Sequence, residues 1–183
     1  MVTSAQMKRL KKLIAIIFLS GLTACGTSMH ASRDPNPEVY TDADDFYDSV
    51  ITEINYTPDQ QKLINYSRGL LGTDYSYGSE NPTDGFDCSG FTQYVYAKSL
   101  NFKLPRTARE MAQTGEPVNI ADLKAGDLVF FNLLGFKYSH VGIYIGNGRF
   151  FHASTNQKAI VIGNLKNEYF AKRYNGARRV LSS

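Results

Sequence analysis

The hydrophobic period changes partway along this chain, and that change constrains the fold more than any other feature. From Thr57 the apolar residues Leu63, Ile64, Leu70 and Leu71 recur at helical spacing, with Thr57 suited to an N-cap and Pro58 to a first helical turn. Gly72 can end that helix. Residues 74–87 are rich in Gly, Ser, Asn, Pro and Tyr and are expected as loop. Residues 89–100 are expected as a second helix, with Phe91, Val95 and Tyr94 inward. Residues 107–114 are expected as a third, where Thr107 and Glu110 have the spacing of a capping box. After Gly126 the period turns toward two. Residues 128–131 form an apolar run, and Val141, Ile143 and Ile145 alternate with smaller or more polar residues. Gly146-Asn147-Gly148 signals a hairpin that returns along residues 149–153, and residues 159–162 and 178–181 are further short strands. Helices first and strands afterwards predict an α+β fold, N-terminal helices packed on a central antiparallel β-sheet.

The residues before Thr57 have a different character. Met7-Lys8-Arg9-Leu10-Lys11-Lys12 is a positive segment, followed by the apolar residues 13–19, a run too short to span a bilayer. Leu22-Thr23-Ala24-Cys25 then resembles the lipobox of bacterial lipoproteins, in which the Cys thiol is lipidated and cleavage makes it the N-terminus. An ordinary secretory signal with an accidental Cys is the alternative. The expected plan is a signal peptide over residues 1–24, a lipidated Cys25 and polar tether over 25–56, and a domain over 57–183. The resemblance implies a membrane anchor through Cys25. With Gly26 rather than Asp next, it implies the outer membrane, facing the periplasm, if the cell is Gram-negative. The tether is acidic, with Asp42, Asp44, Asp45 and Asp48, and residues 44–54 could form a short amphipathic helix. His30 lies in the tether and is assigned no chemistry.

Four of the twenty basic side chains precede Cys25 and no acidic one does. From Cys25 onward the formal charge is therefore about −1, and no basic cluster suggests a nucleic-acid partner. With Cys25 consumed by a lipid, Cys88 is a solitary thiol in an oxidising compartment. It is either a buried small hydrophobe or a reactive group.

Its setting, Gly85-Phe86-Asp87-Cys88-Ser89-Gly90-Phe91, puts Cys88 where loop gives way to helix. Free amides there favour a thiolate and can bring a thiol from about 8.5 to between about 3.5 and 7.5. Asp87 opposes that through its charge and suits an N-cap; Gly90 would allow close approach of backbone or substrate. Ser139-His140-Val141-Gly142 and Phe151-His152-Ala153-Ser154 carry two histidines, each of which could equally be structural. With an odd hairpin loop, His152 lies opposite Gly142 and His140 opposite Ser154. The imidazoles then share a face as diagonal neighbours, and Gly142 leaves room beside His152. A two-residue Asn147-Gly148 turn shifts the register and separates them, so cooperation requires the odd register or a bulge. In that arrangement Cys88 is a nucleophile, His140 its base and His152 the group that orients His140. The Cys88 amide then stabilises the oxyanion.

At these residues the chain resembles the NlpC family of papain-like bacterial cell-wall cysteine peptidases. The resemblance rests on residues 72–78, Asp87-Cys88-Ser89-Gly90-Phe91, Leu104-Pro105-Arg106-Thr107, residues 123–131 and both His segments, in order. It implies a papain-like fold and a Cys88-His140-His152 triad acting through a thioester on peptide bonds of peptidoglycan stems or cross-links. It also implies an active-site role for Tyr75, for which loop packing is the alternative, and places Ser89 on the substrate or oxyanion side. Arg106 is expected to be structural or to touch substrate. Gly78-Ser79 departs from the two glycines of many relatives and alters the groove rim. No metal or other cofactor is expected: a zinc site from Cys and two His is disfavoured by the helix-start position of Cys88. Peptidoglycan and the membrane are the expected partners; no adaptor or regulator is legible. The rival functions are an amidase or acyltransferase on the same scaffold and a non-catalytic envelope-binding lipoprotein.

Overall fold

The computed structural model describes residues 54–181. The signal segment, Cys25, His30 and the tether before Ile54 lie outside the described residues.

Helix α1 (Pro58–Arg68) begins with a complete capping box, Thr57 accepting from the Gln60 amide and Gln60 from the Thr57 amide, and buries Leu63 and Ile64. It stops before Leu70, sooner than the apolar spacing suggests. It caps at Gly69, and beyond that turn the Gly72 amide bonds to the Ile160 carbonyl at 3.0 Å and the Thr73 carbonyl accepts from Ile160 at 2.8 Å. Gly72 does take a positive φ of 79°. The expected loop over 74–87 is also tied down. It contains a small hairpin, β1 (Glu80–Asn81) and β2 (Gly85–Phe86), and Asp74 and Tyr75 bridge to Ala159 and Phe86. Gly85 is obligatory there, since a Cβ would stand 2.6 Å from the Asp74 carbonyl oxygen.

Helix α2 (Cys88–Leu100) follows directly, with Phe91, Val95 and Tyr96 fully buried and Tyr94 partly so. Helix α3 (Ala108–Met111) is a single turn with the expected Thr107–Glu110 box. The main sheet has six strands: β3 (Glu116–Val118), β4 (Leu128–Phe131), β5 (His140–Gly146), β6 (Arg149–Ser154), β7 (Ala159–Asn164) and β8 (Tyr174–Arg179). Their spatial order is β3-β8-β4-β5-β6-β7, antiparallel throughout. Strand β3 and helix α4 (Glu168–Ala171) carry no periodic signal; β3 contains Pro117 and lies on the sheet edge, where a missing N–H is tolerated.

Strand parity divides the core. Leu128, Phe130, Val141, Ile143, Phe151 and Ala153 pack against α1, α2 and α3. Val129, Phe131, Tyr144 and Phe150 point the other way, against Phe170 of α4. Packing also extends before Thr57: the Tyr56 hydroxyl donates to the Ile145 carbonyl at 2.7 Å.

Candidate active site

The β5–β6 hairpin decides whether the two histidines meet. Asn147 and Gly148 form a two-residue turn with φ of 52° and 82°, closing the pair Gly146–Arg149. Taken alone, that turn would put the imidazoles on opposite faces. A bulge between Tyr144 and Gly146 then moves the register by one, so that Tyr144 faces Phe150 and Ile143 faces Phe151. The rings consequently share a face, and His140 Nε2 lies 3.0 Å from His152 Nδ1. A Cβ on Gly142 would come to 3.4 Å of the His152 Cβ, in the space expected of that glycine.

Both rings stand on the sheet face away from α1 and α2. His140 lies against Phe131, and His152 lies between Phe150 and Phe170, with centroids 6.2, 5.1 and 5.4 Å apart respectively. Burial makes the charged forms costly. It holds the His140 imidazole down at about 4, with the Asp87 carboxylate pulling weakly the other way. Burial, and then the His140 charge, hold His152 well below its ordinary value.

Cys88 comes from the opposite layer, at the first residue of α2. It is half-buried, and the backbone amides of Val141, Ser89 and Cys88 itself favour the charged form of its sulfur. Val141 follows His140 in β5, so the sulfur lies where that strand begins. The expectation of a depressed thiol pKa is corrected. Desolvation pushes Cys88 up and the Asp87 charge adds to it, outweighing the three amides. At rest, then, the thiol and both imidazoles are neutral.

Asp87 is the N-cap, as expected. Its Oδ1 accepts from the Gly90 amide at 2.6 Å and from Ser89 Oγ at 3.1 Å, and its Oδ2 from the Gly78 amide at 3.0 Å. Desolvation opposes its ionisation, but the Arg106 fork and the Gly90 bond hold its carboxyl below the usual range. Gly90 admits backbone rather than open space: a Cβ there would strike the Ser79 carbonyl oxygen at 2.2 Å. The Ser89 hydroxyl is engaged with Asp87 and Arg106, so Ser89 meets the sulfur through its amide. Tyr75 is half-buried, and its hydroxyl pKa is raised by desolvation and then by the nearby Cys88 and Asp87 charges. Among the described residues, no group of three or more His, Cys, Asp or Glu side chains is placed to hold a metal ion. Sequence reasoning missed the Val141 amide, which carries no residue-type signal, and the Asp87–Arg106 pairing, which joins positions nineteen residues apart.

The family model for the NlpC/P60 family matches residues 72–179, a span that contains Tyr75, Cys88, both histidines and the whole six-stranded sheet. The chain belongs to the NlpC/P60 family. The probable endopeptidase NlpC homolog of Haemophilus influenzae is 34% identical over 192 residues, covering 94% of this chain and 100% of that protein. Murein DD-endopeptidase MepH of Escherichia coli K12 is 40% identical over 115 residues, 61% of this chain and 42% of MepH. The chain thus spans less than half of that longer relative. An NLP/P60-family structure from Staphylococcus aureus, described as similar to a lipoprotein, superposes with a TM-score of 0.63 at 32% identity, covering 71% of this chain and 44% of that one. The NlpC/P60 match and the layering establish the papain-like α+β fold expected from the sequence.

Proposed function

We propose that this chain is a cysteine peptidase that hydrolyses peptide bonds in peptidoglycan stem peptides or cross-links. The observation that carries the proposal is the 3.0 Å contact between His140 and His152, next in sequence to the Val141 amide that favours charge on the Cys88 sulfur. The NlpC homolog and MepH, both endopeptidases by name, support the substrate class.

The ring contact assigns the nitrogens. His140 Nε2 faces His152, which leaves His140 Nδ1 for the thiol. For Nδ1 to accept a proton, His140 carries its hydrogen on Nε2 and donates it to His152 Nδ1. His152 thereby fixes both ring angle and tautomer, and it shares the imidazolium charge when that charge forms. Because thiol and imidazole are neutral at rest, the Cys88 proton passes to Nδ1 as sulfur attacks the scissile carbonyl carbon. The resulting oxyanion is stabilised by the Cys88 amide, with Tyr75 and Ser89 on the substrate side. The imidazolium then protonates the leaving amine, the C–N bond breaks, and a thioester remains. Water, deprotonated by the same nitrogen, hydrolyses it and restores the thiol.

The proposal extends to placement. Residues 1–24 act as an export signal, Cys25 is lipidated, and residues 25–56 tether the domain to the envelope, at the outer membrane in a Gram-negative cell. Intact mass of the membrane-extracted protein, beside a Cys25→Ala variant, tests that arm. For the activity, the full chain in detergent is incubated with purified peptidoglycan beside Cys88→Ala, and released fragments are identified by mass spectrometry. New stem fragments that vanish with Cys88→Ala are expected. No fragments from a folded protein whose Cys88 alkylates readily would favour the amidase or acyltransferase alternative. No fragments and an inert Cys88 would leave the binding protein.

A further inference from the structure

The chemistry proposed for Cys88 uses the thiol, two imidazoles and a few amides, and leaves one charged cluster beside the nucleophile unexplained. Arg106, in the segment before α3, spends its entire guanidinium on that cluster. Nη1 donates to Asp87 Oδ1 at 3.0 Å and to Ser89 Oγ at 2.9 Å; Nη2 donates to Asp87 Oδ2 at 2.8 Å. Its Nε lies 2.8 Å from Glu80 Oε2 on β1. One side chain therefore ties the hairpin, the cap of α2 and the α3 segment together at the residue before the nucleophile.

We propose that Arg106 is a positioning residue for the Cys88 nucleophile, holding Asp87 as a paired cap so that the carboxylate orients the helix start and repels a thiolate less than it would unpaired. The inference rests on Cys88 being the nucleophile. Two observations support it besides the fork. Asp87 caps α2 through the Gly90 amide at 2.6 Å, so the amides of Cys88 and Ser89 point at the sulfur only while that carboxylate stays in place. The same carboxylate acts on both reacting partners, disfavouring charge on sulfur and favouring it on the His140 ring. A bare Asp87 would hold the proton on the thiol more strongly; its pairing with Arg106 offsets part of that penalty while keeping the cap. The charged and titratable groups around Cys88 are Asp87 on its own element, Tyr75 from the preceding loop, Arg106 with Glu80 behind it, and His140 from β5 backed by His152. A lysine at 106 would supply charge without the planar two-pronged grip.

The test reads Cys88 directly, without peptidoglycan: the rate of iodoacetamide alkylation against pH, on the full chain, with circular-dichroism melts to confirm folding. Arg106→Met is expected to move the alkylation midpoint up by about one pH unit, a roughly tenfold slower reaction at neutral pH. Arg106→Lys should recover part of that shift. Arg106→Met with Asp87→Asn should return the midpoint toward the parent value, because asparagine still caps the helix but carries no charge. An unchanged midpoint in folded Arg106→Met overturns the proposal, as does a shifted midpoint that Asp87→Asn fails to reverse. Either result leaves the peptidase reading standing, since that reading fails only if Cys88 is inert or peptidoglycan is not cut.

Discussion

Gly142 is the residue through which the hairpin's packing and the histidine pair can be perturbed together. It sits in β5 opposite Val129 of β4, and its φ lies outside the left-handed region, so alanine brings no backbone strain. The cost is steric. A Cβ would stand 2.7 Å from Phe150 Cδ2 and 2.8 Å from the Phe151 carbonyl oxygen. The ring can tilt; the carbonyl belongs to the neighbouring strand and cannot. Comfortable carbon contacts begin near about 3.5 Å, so β5 and β6 must part locally by about half an ångström or more. Overpacking of this kind costs about 1–3 kcal/mol. The same parting stretches the His140–His152 contact from 3.0 Å toward the limit of a hydrogen bond. Gly142→Ala should therefore melt about 3–15 °C lower and lose about tenfold or more in peptidoglycan hydrolysis measured below its melting range. A melt within a degree of the parent, with unchanged hydrolysis, would refute the reasoning that this strand spacing is what holds the two rings together.

Other outcomes follow from the same geometry. His152→Ala should keep Cys88 alkylatable but lower hydrolysis by about 10²-fold or more, whereas His152→Gln, which can still accept from His140 Nε2, should recover part of it; turnover of peptidoglycan fragments separates the two. Burial holds His140 at about 4 in the fold against its ordinary 6.5. Its contribution to stability is complete above pH 6.5 and is lost as the pH falls toward 4. By pH 4.5 it removes about 2–3 kcal/mol. Urea unfolding at pH 7 and 4.5 should show a smaller acid loss in His140→Gln than in the parent. Asp127 is almost fully buried and paired with Arg179 at 2.7 and 2.8 Å. Arg179→Met leaves that carboxylate only the Lys124 amide, at 2.8 Å, and should cost about 3 kcal/mol in the same assay, without altering the pH profile of alkylation.

How much of this was legible in the sequence depends on whether the signal was local. Thr57, Asp87 and Thr107 announce three helix starts, because a cap is a matter of residues two or three apart. The strands β4, β5 and β6 follow from period and from Asn147-Gly148. The end of α1 was misread: Leu70 and Leu71 continue the helical spacing, but the helix caps at Gly69 and the chain then pairs through Gly72 with Ile160, across most of the domain's length. Strand β3 and α4 are held by partners rather than by their own patterns. The histidine pair shows the boundary well. Turn chemistry predicts a two-residue loop, common function demands the other register, and sequence could state the conflict without resolving it. The bulge between Tyr144 and Gly146 satisfies both.

That bulge also explains why the site lies where it does. Strand parity sends His140 and His152 to the face of Phe131 and Phe170, while α2 packs on the face of Val141 and Ile143. A nucleophile in the middle of α2 would be separated from its base by the thickness of the sheet. Only the first residue of the helix, arriving where β5 begins, reaches the strand's amide edge. The same placement gives the sulfur the free amides of a helix start and surrounds both rings with aromatic side chains. Those two environments pull in opposite directions on charge. Amides stabilise a thiolate, while the buried rings resist becoming imidazolium. In the proposed chemistry the proton therefore moves during attack, and a standing ion pair is disfavoured. Peptide-bond cleavage needs that same proton again at the leaving amine, so a base that holds it weakly is one that returns it readily.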